Sequence, residues 1–428
     1  MFKVKEKSTK VNSALRHRLL LATAVGAVAP LSAHAAKQEA KQENCATAAI
    51  APCEKLKPII DLRYRTELVD DDNFDNPARA HTLRGRFGVL AKPNSVLELV
   101  VEGEGVVNLN DNFNSTTNGV TNRPVVADPE EIELNRARAT ITVSENAKLT
   151  VGRQRINFAD QRFVGAVDFR QNQQTYDAVR LRVKPAKNVE VDYAYVDRVH
   201  RIFGDDNPSG NFRSNSHIGE VRMKSPTFGD VAVYGFALDF ENAPALSTRT
   251  IGARAKKKID VSENVTAIAR VEFANQTDHG DNPNEFDVNY VGGDITLKRK
   301  GIAFKAGYER LGGDGTVGFS TPLATLHKFQ GFADRFLATP ADGLQDIYGM
   351  ASWSTGPVGP FKGAAVKFFA HRFDSVRNDR DFGSELDLIV NLKINTHLAA
   401  QFRGAVYMAG EDGPRSVTKT WFSLRYQL

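Results

Sequence analysis

Phe382-Gly383-Ser384-Glu385-Leu386-Asp387-Leu388-Ile389-Val390-Asn391-Leu392 is the stretch on which the reading of this chain turns. Phe382, Ser384, Leu386, Leu388, Val390 and Leu392 alternate with Gly383, Glu385, Asp387, Ile389 and Asn391. Period two predicts a strand, because successive side chains point to opposite faces of the pleated backbone. One face is wholly apolar from Leu386 on, and the other carries two carboxylates. The following segment repeats the pattern. Leu398, Ala400, Phe402, Gly404, Val406 and Met408 stand against His397, Gln401, Arg403 and Tyr407. Far upstream, Ile60, Leu62, Tyr64 and Leu68 oppose Asp61, Arg63, Arg65 and Glu67.

Working outward from these, about eighteen such segments are predicted, an even number as bacterial outer-membrane barrels have. They fall near 57–69, 80–91, 95–109, 131–143, 147–156, 175–184, 188–199, 216–224, 230–240, 248–259, 263–275, 286–298, 301–311, 346–354, 361–373, 381–393, 396–409 and 416–428. The phase of alternation is ambiguous around Thr150–Ile156 and near Asp346. Between segments, connections alternate in length. Lys92-Pro93-Asn94, Ser144-Glu145-Asn146 and Lys184–Lys187 are short, whereas 110–130, 157–174, 200–215 and 312–345 are long. Short periplasmic turns and long extracellular loops are the signature of an antiparallel transmembrane β-barrel. A soluble sandwich would bury its apolar faces against a second sheet. Here the second face is charged in strand after strand, which fits a water-filled bore, since sixteen to eighteen strands leave an aqueous channel.

The N-terminus reads as an export signal. Lys3, Lys5, Lys7, Lys10, Arg16 and Arg18 precede the apolar run Leu19–Leu31, and Ala33-His34-Ala35 offers a cleavage site. That run is too short to span a bilayer as a helix. The expected organisation is a signal peptide over 1–35, a periplasmic segment over 36–56 and the barrel over 57–428. The first 35 residues hold the whole formal excess of +5, so the remainder is near neutral and basicity gives no argument for nucleic acid. Cys45 and Cys53 are a possible disulfide in an oxidising compartment. No metal or cofactor is expected.

A family resemblance rests on three pieces of sequence. They are Val151-Gly152-Arg153-Gln154-Arg155-Ile156-Asn157-Phe158, then Asp160-Gln161-Arg162-Phe163-Val164-Gly165, then Gln174-Thr175-Tyr176-Asp177-Ala178-Val179-Arg180-Leu181-Arg182. Together they resemble the alginate export family of outer-membrane porins, in which a Gly-Arg-Gln strand end leads into a loop with an Asp-x-Arg step and on to a Thr-aromatic-Asp strand. Phe169, Ala178 and the Gln-rich run before Thr175 depart from the family pattern. The resemblance implies an eighteen-stranded barrel with an electropositive constriction that passes an anionic polysaccharide or small anions.

The predicted pore-lining, anion-binding residues are Arg63, Arg65, Arg84, Arg86, Arg136, Arg138, Arg153, Arg155, Arg180, Arg182, Arg222, Arg254, Arg270, Lys305, Arg403 and Arg425. Arg suits a carboxylate-bearing solute because its planar fork binds both oxygens and stays charged. RxR steps place two guanidinium groups on one face about 7 Å apart. Acids expected to face the same bore are Glu98, Glu102, Glu190, Asp192, Glu385 and Asp387. They concentrate in the third, seventh and sixteenth segments and the RxR pairs in the first, second, fourth and sixth, so a field across the bore is expected. The loops over 157–174 and 312–345 are long enough to fold inward, with Phe158, Phe163, Phe329, Phe332 and Phe336 packing them against the wall.

The nine histidines are scattered, with no G-x-S-x-G, H-E-x-x-H or Gly-rich phosphate loop, so no enzyme is expected. The expected role is passive passage of hydrophilic anions through a Gram-negative outer membrane, with export of an acidic polysaccharide such as alginate as the sharper form. General or small-anion uptake, or a plugged structural or adhesive barrel, are the alternatives. Expected partners are outer-membrane lipid, lipopolysaccharide and the solute. The aromatic-rich strand Thr418–Leu428 also predicts the barrel assembly machinery.

Overall fold

The computed structural model describes residues 54–428. The expected export signal over 1–35, the segment up to residue 53 and the possible Cys45–Cys53 disulfide lie outside the described residues.

Eighteen antiparallel strands form one closed barrel. In chain order they are β1 (Glu54–Asp71), β2 (Ala78–Lys92), β3 (Leu97–Asn108), β4 (Glu131–Ser144), β5 (Ala147–Gln154), β6 (Thr175–Ala186), β7 (Val189–His200), β8 (Asn211–Ser225) and β9 (Gly229–Leu238). Then follow β10 (Thr248–Ser262), β11 (Val265–Asp278), β12 (Asp287–Arg299), β13 (Ile302–Leu311), β14 (Leu344–Thr355), β15 (Gly363–Asp374), β16 (Asp381–Lys393), β17 (Leu398–Ala409) and β18 (Val417–Gln427). Every strand pairs with its neighbours in sequence, and β1 pairs with β18 from Asp61↔Gln427 to Asp71↔Val417. Closure removes both sheet edges. Among the described residues the only helical turns are Pro244–Leu246 and Leu326–Lys328.

The alternation read from sequence sets the two faces. Phe87, Val101, Ile132, Val233, Phe304 and Phe402 are exposed on the outside, while Arg63, Arg84, Glu102, Asp192 and Glu385 are buried on the inside. The ambiguous segments resolve by the same rule. Thr150 and Gln154 point inward with Val151 outward, and Asp346 is buried within the bore opposite an exposed Ile347. In β16 the alternation slips by one position. Gly383 (φ +113°) sits at a register shift between β15 and β16, which turns Phe382 inward while Leu386 stays outside. A bulge of this kind re-aims side chains on one side of it.

Connections at one end are two to four residues long, except 356–362. That turn exceeds the six-residue loops 72–77 and 375–380 at the other end, so the two length classes overlap there. The fourth loop is shorter than the sequence implied, because β8 begins at Asn211. At the loop end, 155–174 and 312–343 run into the bore and pack their aromatic residues against the inward-facing apolar side chains of the wall. Phe163 packs among Tyr234, Phe236, Tyr290 and Phe319, with ring centroids 5.3–6.1 Å apart. Phe336 meets Phe373, Phe382 and Tyr407 on the opposite side.

Candidate functional site: the channel interior

The inward-facing charges form a paired network. Arg84 ion-pairs with Asp61 (2.6 Å), and Arg425 makes a two-pronged contact with the same carboxylate (2.9 and 2.5 Å). Arg86 binds Glu104, Arg136 and Arg155 share Glu102, and Arg138 reaches Glu98 (2.8 Å). Arg180 grips Asp192 with two bonds (2.8 and 2.6 Å), Arg222 binds Glu190 (2.6 Å) and Arg254 binds Glu220 (2.6 Å). Arg270 contacts Glu272 (3.0 Å) and Asp294 (2.7 Å), the latter shared with Lys305 (3.4 Å). Arg182 is exposed near the turn end of β6.

This pattern corrects the expected field across the bore. In an up-and-down barrel, consecutive strands are neighbours in space. The acids of β3 therefore lie beside the arginines of β2 and β4, and those of β7 beside β6 and β8. Opposite charges meet edge to edge and cancel locally instead of facing one another across water. Among the acids of β3, β7 and β16, only those of β16 escape. Glu385 and Asp387 have no arginine partner, and instead accept backbone N–H bonds from Ala333 (2.7 Å) and Phe332 (3.3 Å) of the long loop 312–343. Arg153 is a second correction. It shares its face with outward-pointing Val151 and Val179, near the loop-end rim, where it binds Asp177 (2.8 and 3.1 Å). The period-two count across Gly152 places it on the outside, away from the bore.

The two inward loops are tied together before they touch the wall. Val164 bridges Leu323, Gly165 N–H donates to the Leu323 carbonyl (2.8 Å), and Thr325 N–H donates to the Gln161 carbonyl (3.1 Å). Arg170 then joins this unit to β1 through Glu67 (3.1 Å) and to Asp334 (3.4 Å). Burial alone would lower the Arg170 pKa, but the carboxylates of Glu67, Asp128 and Asp334 outweigh it and hold it above its usual value. His327 lies stacked on Phe169 (3.4 Å between centroids) and bonds Asp334 (2.8 Å). Burial pushes the His327 pKa down to about 3 despite that carboxylate, so the ring is neutral near pH 7.

Beneath the loops, the bore opens into two adjoining cavities. One, of about 920 Å³, is lined by Arg63, Arg65, Arg403 and Arg425 together with Phe169, Phe332 and Phe369. Here two guanidinium groups lack carboxylate partners. Arg63 donates to Gln171 Oε1 (2.7 Å) and to the backbone carbonyls of Asp168 (3.0 Å) and Arg170. Arg403 donates to Gln401 Oε1 (2.7 Å) and rests over the rings of Phe169 and Phe332 (4.8 and 5.4 Å). Arg65 donates to the Phe169 carbonyl and lies 3.5 Å from Asp128. The other cavity, of about 1300 Å³, is lined at the turn end by thirteen Lys or Arg and six Asp or Glu. Lys328 and Asp160 roof both cavities. Burial lowers the Lys328 pKa, and although Asp160 opposes that, Lys305, Arg270 and Lys367 add to it.

Several of these residues escaped the sequence reading. Asp128 and Gln171 lie in loops, and their part in holding Arg63 and Arg65 has no local signal. The turn-end lysines do have one. Lys184, Lys187, Lys298 and Lys300 each lie in or beside a short connection. Among the described residues, no group of three or more His, Cys, Asp or Glu is arranged to hold a metal.

The alginate export family model matches residues 56–261, from the start of β1 almost to the end of β10. Among curated proteins, none matches the chain. Solved structures similar to it include OccAB4 of Acinetobacter baumannii, at 14% identity over 88% of this chain and 98% of that one, with a TM-score of 0.67. OpdO of Pseudomonas aeruginosa is 16% identical over 87% and 97%, with a TM-score of 0.64. Pseudomonas aeruginosa OpdK, solved with vanillate, is 14% identical over 87% and 98%, with a TM-score of 0.63. At these identities the likeness is one of fold: the closed eighteen-strand outer-membrane porin barrel.

Proposed function

We propose, from the match of residues 56–261 to the alginate export family model and from the charges inside the bore, that the barrel is an outer-membrane channel for passive passage of hydrophilic anions. On this reading it is a conduit and catalyses nothing. The observation that carries it is the pair of guanidinium groups, Arg63 and Arg403, that face a cavity without a carboxylate to neutralise them. Most other arginines on the wall are cancelled by an adjacent acid, so these two supply positive charge that a passing solute can use. Selectivity at a constriction follows the charge left uncompensated there.

Reversal potential under a KCl gradient, measured on purified protein in planar bilayers, tests this. The wild type is expected to prefer chloride, and Arg63→Gln with Arg403→Gln is expected to move the potential toward potassium. A cation preference in the wild type overturns the reading.

Two classes of anion remain within it. The family supports an acidic polysaccharide such as alginate. The rings of Phe169, Phe332 and Phe369 beside the arginines favour a small carboxylate with an apolar or aromatic body, and the OpdK structure with vanillate supports that second reading. Block of the chloride current by alginate oligomers, vanillate and neutral oligosaccharides, compared at equal concentration, separates the two.

A further inference from the structure

Although charges cancel between neighbouring strands around the wall, the barrel grades its charge along its axis. On the inward face at the turn end stand Lys184, Lys224, Lys256, Lys298, Lys305 and Lys367, all lining the larger cavity. Only Lys305 among them contacts a carboxylate. Of the six acids in the same cavity, Glu190, Glu272 and Asp294 are already held by arginines. The excess of positive charge there is therefore carried by lysines free to meet a solute. At the loop end the sign reverses. Asp72, Asp75, Asp205, Asp206, Asp281 and Glu285 are exposed on the loops, and none of them ion-pairs with a lysine or arginine.

A solvated rim needs no such polarity, since charges of either sign keep turns soluble. The lysines also do more than decorate the turns, because they point into a cavity of about 1300 Å³ that continues to the arginines above it. We propose that this turn-end cavity is a capture site for multiply charged anions, and that the axial gradient of fixed charge admits them faster from the turn side than from the loop side. The inference rests on the anion-channel reading. A passive channel leaves equilibrium unchanged, so the asymmetry lies in capture rate. Clefts lined by one sign of charge raise the local concentration of an opposite ion and its on-rate by about 10-fold or more. The opposing acids at the other mouth repel the same ion. Lysine suits the task because its ammonium is a compact point charge on a flexible stem, which releases a sliding polymer more readily than a two-pronged guanidinium.

The test uses full-length channels in planar bilayers, with orientation read from streptavidin bound to a biotin tag in loop 201–210. Deca-glutamate is added to one side at a time, with neutral dextran as control. Half-block from the turn side is expected at a concentration about tenfold lower than from the loop side. Lys184→Gln with Lys298→Gln and Lys300→Gln should bring the two values together, with folding verified by the heat-modifiable gel shift. Equal block from both sides of the wild type, or asymmetry that survives these substitutions, overturns the proposal. If chloride preference is present while block is symmetric, the capture site alone fails. If chloride preference is absent, the channel reading fails with it.

Discussion

At the scale of single residues, what a charge does here depends on which neighbour reaches it. Asp61 is met by Arg84, Arg86 and Arg425. Asp61→Asn leaves three guanidinium groups with one carboxylate fewer. The expected cost is about 3–5 kcal/mol for breaking a buried pair, read as a lower temperature for the gel-shift transition, together with a stronger chloride preference. Arg153 gives the contrast. Because it lies outside and binds Asp177, Arg153→Ala is expected to leave reversal potential where it was, and a shift comparable to that of Arg403→Gln would mean Arg153 faces the bore. The sequence left Arg153 unresolved because it stands in Thr150–Ile156, where the phase of alternation is ambiguous, whereas Arg403 stands in a regular alternation. His327 was equally hidden. Its neutrality comes from burial under Phe169, Phe332 and Trp421, contacts made across more than ninety residues of chain in either direction for two of the three. Its folded pKa of about 3 lies below the ordinary 6.5, so the unfolded state binds the extra proton and stability falls as pH drops from 6.5 toward 3. Asp334, whose carboxyl is held low by Lys419, His327 and Arg170 against the effect of burial, adds loss in the same direction below its ordinary 3.8. Loop 312–343 should thus become protease-sensitive on acidification, and His327→Asn should remove the part of that change between pH 6 and 4. An unchanged pH profile in the variant would assign the transition to other groups.

Strands and loops differ in how far the sequence discloses them. All eighteen strands are legible because one rule acts on each independently: lipid on one face, water or polar contacts on the other. The predicted 381–393 coincides with β16, and 131–143 falls one residue short of β4. Errors occur where an element breaks its own period, as at the Gly383 bulge, or where a strand continues past its apolar stretch, as β8 does through Asn211–Asn215. Loops obey no period. That 155–174 and 312–343 have the length and aromatic residues to fold inward is readable, but their mutual pairing through Leu323 and Thr325 is not, because backbone N–H bonds carry no side-chain signature. Gly331 shows how tight the docking is. It adopts φ +77°, and a methyl added there would run into the Glu385 carboxylate. Gly331→Ala is expected to cost about 1–3 kcal/mol through backbone strain alone and to loosen 312–343 from β16. Single-channel recordings should then show a larger or noisier open state, whereas an unaltered trace would mean this contact does not hold the loop.

Taken whole, the molecule spends its charge twice, once in neighbouring pairs that make a dense wall and again in a lysine-rich end that remains available. Net charge, near neutral beyond the first 35 residues, conceals that polarity entirely, because acidic loops and basic turns cancel in the sum. The ring has one further consequence, and it concerns birth more than transport. Its seam joins the first strand to the last, from Asp61↔Gln427 to Asp71↔Val417. A ribosome has therefore released nearly the entire polypeptide before either margin can find its mate, and until then two rows of unsatisfied amides invite strangers. Removing Val417–Gln427 should leave material that precipitates or is degraded, with almost no heat-resistant band. Supplying those eleven residues as a separate peptide during refolding should rescue some of it, as a zip regains its final tooth.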